Sequence, residues 1–371
     1  MTLARMAQRS QPWADGVAGR TPQALFDLGG LERRLQQCAA GAAARGITLA
    51  YSIKTNPMPA ILRRVCTAGM AAEAISGAEA EAAFKAGFTA DRVVLGGVAK
   101  AWPTGTVTPG LLAILDDTVE GFMQGVHAGA GHRHHCMRLR FPGVASRLGF
   151  DTADLGQRHV LADALLSAQA TGASVGLATH EHSVPASGAD AWLNTVRLMI
   201  DGLEEARPGI LASLECIDLG GGYDADCLDD LLLGDLGKSL LGYLNTRLPR
   251  CRAIILEPGK SLVQAHGVIV GSVIGRVAPG EVSVDASMAE LPWPMSDRPV
   301  FVWRDGVWRD LGPGTGMVTG RCTAETDVLA TSVDISGLTN GDRLLFGEAG
   351  AYDWSMRNTF GAAEVIETVA E

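Results

Sequence analysis

Lysine occurs only five times in the 371 residues, and one of the five, Lys54, closes an apolar run in the stretch Tyr51-Ser-Ile-Lys-Thr-Asn56. An amine at the end of a buried strand, with its pKa depressed by burial, can condense with an aldehyde to an imine. Three further signatures close similar runs: His180-Glu-His-Ser183, Asp218-Leu-Gly220-Gly221-Gly222 and Glu257-Pro-Gly259-Lys260. A flat imidazole can stack on a ring. Successive glycines let backbone N–H groups approach a phosphate. A carboxylate can pair with a pyridinium nitrogen and hold its proton on. Singly, each has a commoner explanation: a surface cation, a tight turn, a satisfied core histidine, a helix cap. Jointly, at the ends of successive strands, they describe a pyridoxal phosphate site with Lys54 as the imine-forming residue.

The elements that must carry these groups are legible as two alternating textures between about residues 30 and 260. Eight short runs rich in Val, Ile and Leu lie at 47–53, 70–75, 92–95, 111–115, 135–141, 174–179, 214–219 and 252–256. Between them come longer stretches with helical spacing, such as 77–87 and 189–206. Apolar strands buried on both faces and separated by helices imply a parallel sheet. Eight such units predict a closed (β/α)8 TIM barrel, whose catalytic groups sit at the carboxyl ends of the strands. After Pro258 the texture changes. Segments 267–277, 282–286, 299–303, 327–334 and 342–346 read as strands between Gly, Pro and Asp turns. The expected architecture is α/β: a barrel over 26–270 and a mostly β domain, sandwich or barrel, from 1–25 and 271–371.

Composition bounds the partners. Hydrophobic residues make up 47% and charged residues 19%, enough to bury a large core. A net charge of −10 argues against nucleic acid and anionic membranes, which need a basic surface. No signal peptide or transmembrane run is expected from the apolar stretches. Seven scattered cysteines without a CxxC pair fit a reducing cytoplasm. The His132-Arg-His134-His135 cluster has no carboxylate at metal spacing, so no metal site is expected.

These residues, in this order, resemble the fold-type III pyridoxal-phosphate decarboxylases, the group of ornithine and diaminopimelate decarboxylases, and more distantly alanine racemase. The resemblance runs over nearly the whole chain. Residues 21–27 look like the entry segment, and Glu73 with Ser76 and Glu79 resembles the family's Asp-x-x-Ser-x-x-Glu stretch. Arg140-Phe-Pro, followed by Ser146-Arg-Leu-Gly149, resembles the next barrel motif. The resemblance implies that His180 stacks on the cofactor ring and that Glu257 meets its pyridine nitrogen. Ser183, the Gly220–Gly222 loop and Tyr352 are implied to serve the phosphate, and Glu73, Arg140, Gly259 and Lys260 to belong to the cofactor site. It also implies that Cys322, in Gly320-Arg-Cys322, returns a proton to Cα after CO2 leaves. In this family the cysteine and tyrosine segments meet the barrel across a dimer interface, which implies a homodimer with shared sites.

Racemases of this fold place an arginine at the pyridine nitrogen. Glu257 here keeps that nitrogen protonated and favours loss of CO2. Several positions depart from the family pattern: Glu73 stands for the usual Asp, and Lys260 for an Arg that could bind bidentately. The segment 285–293 lacks the arginine and tyrosine with which diaminopimelate enzymes read the distal end of their substrate. Thr323 follows Cys322 where an acidic residue is usual. Trp293 and Thr323 are therefore candidate substrate contacts. The expected substrate is an amino acid or amino-acid conjugate of specialised metabolism, of the siderophore type. An amino-acid racemase or epimerase, and an ordinary diaminopimelate decarboxylase of lysine biosynthesis, are the alternatives. A non-enzymatic cofactor-binding barrel and a plain phosphate-binding barrel are the others.

Overall fold

The computed structural model describes residues 13, 18–100, 108–128, 131–144, 146–295, 297–361 and 366–370. The part of the expected β domain at 1–12 and 14–17 lies outside them. The chain divides into two compact units, Arg34–Ser261 and the remainder, Met1–Arg33 with Leu262–Glu371.

The first unit is a closed parallel barrel. Its strands are β1 (Ile47–Ser52), β2 (Ala71–Ser76), β3 (Val93–Ala99), β4 (Ala113–Asp116), β5 (His134–Arg140), β6 (Val175–Thr179), β7 (Cys216–Asp218) and β8 (Ala253–Leu256). Each pairs in parallel with the next, and β8 pairs with β1 to close the ring. Every one of the eight apolar runs forms a strand. Helices Pro59–Thr67, Gly77–Ala86, Val119–His127, Leu155–Ala170, Ala189–Ala206, Ala225–Leu233 and Asp235–Arg247 cover the outside.

Local chemistry starts and stops these helices. Ser76, Thr118, Asp154 and Asp224 are N-caps whose side chains accept backbone N–H groups of the first turn. Gly87, at φ 106°, ends the helix that Ser76 starts, in a left-handed conformation only glycine adopts without strain. Helix Ala189–Ala206 buries Ala189, Trp192, Leu193, Val196, Met199, Ile200, Leu203 and Ala206, an i, i+3, i+4 stripe facing the barrel.

The second unit is a nine-stranded sheet among the described residues. Strand Gly267–Ala278 is its centre, paired with Gln23–Asp27, Glu281–Val284 and Arg343–Phe346. Gln23–Asp27 also pairs with Ile366–Ala370. Both Gln23–Asp27 and Gly267–Ala278 run across the expected domain bounds at 26 and 270, and their pairing keeps each whole within this unit. Strands Val307–Asp310 and Pro313–Thr319 are additional to those legible in the sequence. The latter reads Pro-Gly-Thr-Gly, a turn composition. Its glycines are strand residues because neighbours press close: a Cβ on Gly316 would stand 2.4 Å from Ile335 Cγ1. Among the described residues no helix is long and apolar enough to cross a membrane.

Candidate active site

Alternate residues of a barrel strand point inward. Ala50, Ala71, Val94, Ala113, Leu115, Cys136, Ala178, Cys216 and Ile255 pack the barrel centre. Counting by twos toward the carboxyl ends reaches Ser52 on β1 and Lys54 just after it, Glu73 on β2, Asp117 after β4 and Arg138 on β5. The same count reaches His180 after β6, Asp218 on β7 and Glu257 after β8. Lys54, Glu73, Glu79, Asp117, Arg138, His180 and Glu257 line one cavity of about 440 Å³ at that end of the barrel.

The ends of β1 and β8 are tied by the Ser52 N–H donating to the Pro258 carbonyl at 3.2 Å. Lys54 follows on a single 3-10 turn, Ile53–Thr55. Gly259 passes so close to this turn that a Cβ there would stand 2.0 Å from Thr55 Oγ1. Glu73 is buried and accepts the Ser52 hydroxyl at 2.6 Å. Burial pushes its carboxyl up to about 7; the Glu257 charge adds to the rise, and Lys54 opposes it. Glu79 accepts the Ile75 N–H at 2.8 Å, and burial raises its pKa too.

Glu257 is 6% exposed, and its N–H donates to the Gly220 carbonyl at 2.7 Å. No amide, hydroxyl, amine or guanidinium of the described residues reaches its buried Oε1. Glu257 Oε2 lies 3.7 Å from His180 Nδ1. That contact is not an ion pair, because Nδ1 accepts the Gly221 N–H at 3.1 Å and the ring proton is therefore on Nε2. The glycine loop admits no side chain. A Cβ on Gly220 would stand 2.3 Å from the Thr179 carbonyl oxygen, on Gly221 2.4 Å from that of Glu257, and on Gly222 2.2 Å from that of Glu181. The Gly220 and Gly221 amides are already engaged, by Asp218 and His180.

Arg140 is placed differently from its neighbours in this list. Its guanidinium donates to the Ser146 carbonyl at 2.8 Å and to Asp151 at 2.9 Å, and it does not line the cavity. Arg138, two residues earlier, does line it, with Asp117 at 3.9 Å. Ser183 is exposed, and Lys260, half-buried, begins a short helix. Burial lowers the Lys260 amine below its ordinary value, with Asp224 opposing.

The remaining residues belong to the second unit. Cys322 is half-buried on a loop organised by Asp327, which accepts the Cys322 N–H at 2.9 Å and the Met288 N–H at 2.6 Å. Burial, with a hydrogen bond to Asp327, raises the thiol pKa. Arg321 is held by both oxygens of Glu290, each at 2.7 Å. Trp293 stacks on Tyr352, with centroids 4.4 Å apart and planes at 26°. Arg298 is buried against Asp353 at 2.9 Å and the carbonyls of Gly347 and Trp293. Thr323 is exposed. Thus Lys54, Glu73, His180, Gly220–Gly222 and Glu257 come together in the barrel, and Trp293 meets Tyr352 in the second unit. Arg138 and Asp117 carry no sequence signature, and Asp218 stands in one only as the residue that opens the glycine motif. The inward parity that reveals Lys54 and Glu257 also reaches them.

The barrel residues fit pyridoxal phosphate. An amine and a dry carboxyl with an unmatched oxygen face one cavity, beside a glycine loop that backbone crowding keeps free of side chains. No family model matches the chain. The curated diaminopimelate decarboxylase of Zymomonas mobilis is 26% identical over 371 residues, covering 91% of this chain and 83% of that protein. Among solved structures, the lysine/ornithine decarboxylase of Vibrio vulnificus complexed with putrescine superposes with a TM-score of 0.77 at 16% identity, covering 100% of this chain and 99% of the other. The diaminopimelate decarboxylase of Helicobacter pylori complexed with L-lysine gives 0.76 at 18% identity, covering 95% and 92%. The fold is therefore that of the solved amino-acid decarboxylases, and over the length of the barrel and the β unit the sequence is similar to diaminopimelate decarboxylases, which use pyridoxal phosphate on this fold.

Proposed function

We propose that the protein removes the α-carboxyl group of an amino acid or amino-acid conjugate as CO2, using Lys54 to hold the cofactor. When bound, pyridoxal phosphate supplies the electron sink for the pair left by the broken C–C bond. The chain's residues have the remaining tasks. Glu257 keeps the ring nitrogen protonated, and His180 covers the ring. Glu73 lies beside the lysine. Ser183, the Gly220–Gly222 loop through its Gly222 amide, Gly259, Lys260 and Tyr352 take the phosphate, with the Gly220 and Gly221 amides fixing the loop on Asp218 and His180. Cys322, whose raised pKa keeps it a thiol near neutrality, returns a proton to Cα. The observation that carries this reading is that Lys54, His180 and Glu257 line one cavity at the carboxyl ends of the barrel strands.

The substrate's far end differs from that of meso-diaminopimelate. Arg298, which follows the segment 285–293, is 8% exposed, and its charge is already paired with Asp353 and braced by two carbonyls, unlike an arginine presented to a distal carboxylate. Trp293, with Thr323, presents an aromatic and a neutral hydroxyl instead. These support a larger conjugated diamino acid of specialised metabolism, in a cytoplasmic homodimer with shared sites. Plain diaminopimelate decarboxylation is the second reading, favoured by the name of the Zymomonas mobilis relative.

The test is a CO2-release screen of purified protein against meso-diaminopimelate, ornithine, lysine and diamino-acid conjugates. Conjugates are expected to turn over fastest, with activity and the yellow cofactor absorbance both lost in Lys54→Ala. Racemisation without CO2 release rejects the decarboxylase. Efficient turnover of meso-diaminopimelate and nothing larger rejects the substrate and leaves the second reading.

A further inference from the structure

Asp218 holds the Gly220 amide and is 0% exposed at the inward-facing end of β7, yet that bond uses only one of its two oxygens. On neighbouring strands Asp218 pairs in register with Ile255, and Glu257 lies two residues beyond Ile255 on the same inward face. The Leu219 N–H donates to the Ile255 carbonyl at 2.9 Å, and the Glu257 N–H to the Gly220 carbonyl at 2.7 Å, so the two strand ends cannot slide. Asp218 Oδ1 accepts the Gly220 N–H at 2.8 Å. Its other oxygen, Oδ2, and Glu257 Oε1 are both buried, and no amide, hydroxyl, amine or guanidinium of the described residues reaches either. Burial raises the Asp218 carboxyl, and the Glu257 charge and a hydrogen bond to Glu257 add to the rise.

We propose that Asp218 is a positioning residue: as a neutral acid it donates a hydrogen bond to Glu257, holding that carboxyl group aimed at the cofactor's ring nitrogen. This rests on the reading of Glu257 as the nitrogen's partner. Two carboxylates cannot both be ionised side by side in the interior, so one proton is held between them. It belongs to Asp218, which burial and the Glu257 charge raise well above the carboxylate range, while Glu257 opens on the cavity.

The other groups around the pair cannot do this. His180 Nδ1 carries no proton. The Tyr223 hydroxyl donates to the Leu219 carbonyl at 2.9 Å. Cys216 faces Cys136, and Glu73 is a further acid whose charge opposes that of Glu257. Lys54 lines the same cavity and lowers the Glu73 pKa, but it does not reach the buried Oε1 of Glu257. A buried acid that served only to cap the Gly220 turn would use Oδ1 and leave Oδ2 without a purpose.

Full-length protein, with and without pyridoxal phosphate, is compared as wild type, Asp218→Asn, Asp218→Ala and Glu257→Ala. Infrared spectra should show a protonated carboxyl at pH 8 in the wild type, absent from Asp218→Asn. The asparagine amide still donates to Glu257, so Asp218→Asn should bind the cofactor within about threefold of wild type, while Asp218→Ala weakens it about 10–100-fold, as loss of a group supporting a ligand does. Absence of the protonated carboxyl, or equal affinities of the Asn and Ala variants, overturns the proposal. Unchanged affinity in Glu257→Ala overturns the reading of Glu257, and the proposal with it. Should Asp218→Ala fail to fold, the infrared comparison with Asp218→Asn decides alone.

Discussion

Replacing Glu73 by Gln should stabilise the cofactor-free protein, and should do so only at higher pH. Glu73 is 3% exposed, and its carboxyl is pushed up to about 7 from an ordinary value of 4.5 by burial and by Glu257. Its pKa is thus raised in the folded state. Between 4.5 and 7 the folded protein binds more protons than the unfolded chain, so this group's contribution falls as pH rises through that window and levels off above it. Worked from the two values, the loss between pH 5 and pH 8.5 is about 2–3 kcal/mol. Gln has nearly the same shape, can still accept the Ser52 hydroxyl, and has no charge to desolvate. Urea unfolding of both proteins across this range should therefore give curves that coincide near pH 5 and separate by about 2–3 kcal/mol at pH 8.5, with Gln the more stable. Parallel pH dependences would refute the argument, because Glu73 would then ionise in the folded protein as freely as in the unfolded chain.

Gly221→Ala places a Cβ 2.4 Å from the Glu257 carbonyl oxygen and 3.4 Å from the His180 ring, so gel-filtered protein should lose its cofactor absorbance and about 1–3 kcal/mol of stability. Gly242→Ala, whose Cβ meets nothing, is the control and should retain both. Asp353→Ala removes the partner of the buried Arg298 and should cost about 3–5 kcal/mol by chemical denaturation, since it strands a guanidinium in the interior. A loss under about 1 kcal/mol, the range of exposed pairs, would show that the pair is solvated.

The barrel was legible because its signal is local. A strand buried on both faces must be apolar throughout, so eight such runs separated by amphipathic helices leave few other arrangements. The strand Pro313–Thr319 was not legible, because its glycines answer to neighbours such as Ile335 that are remote in the chain. The same division runs through the site. Lys54, His180, the glycines and Glu257 are visible as polar residues that break apolar runs. Arg140 and Arg138 share that property and a strand face, and nothing local separates them. Arg138 remains at the cavity, whereas Arg140, one step further along, is drawn away by Ser146 and Asp151.

Residue types and their period of two therefore determined the barrel and the chemistry at its rim: an amine, an imidazole, a glycine loop and an acid. Only the tertiary structure decided which protons those groups hold. The Gly221 amide sets the His180 tautomer, and the closure of β7 against β8 leaves Asp218 and Glu257 one proton to share. The physical reason is that apolar periodicity is written in consecutive residues, whereas desolvation and charge repulsion depend on groups that only folding brings together.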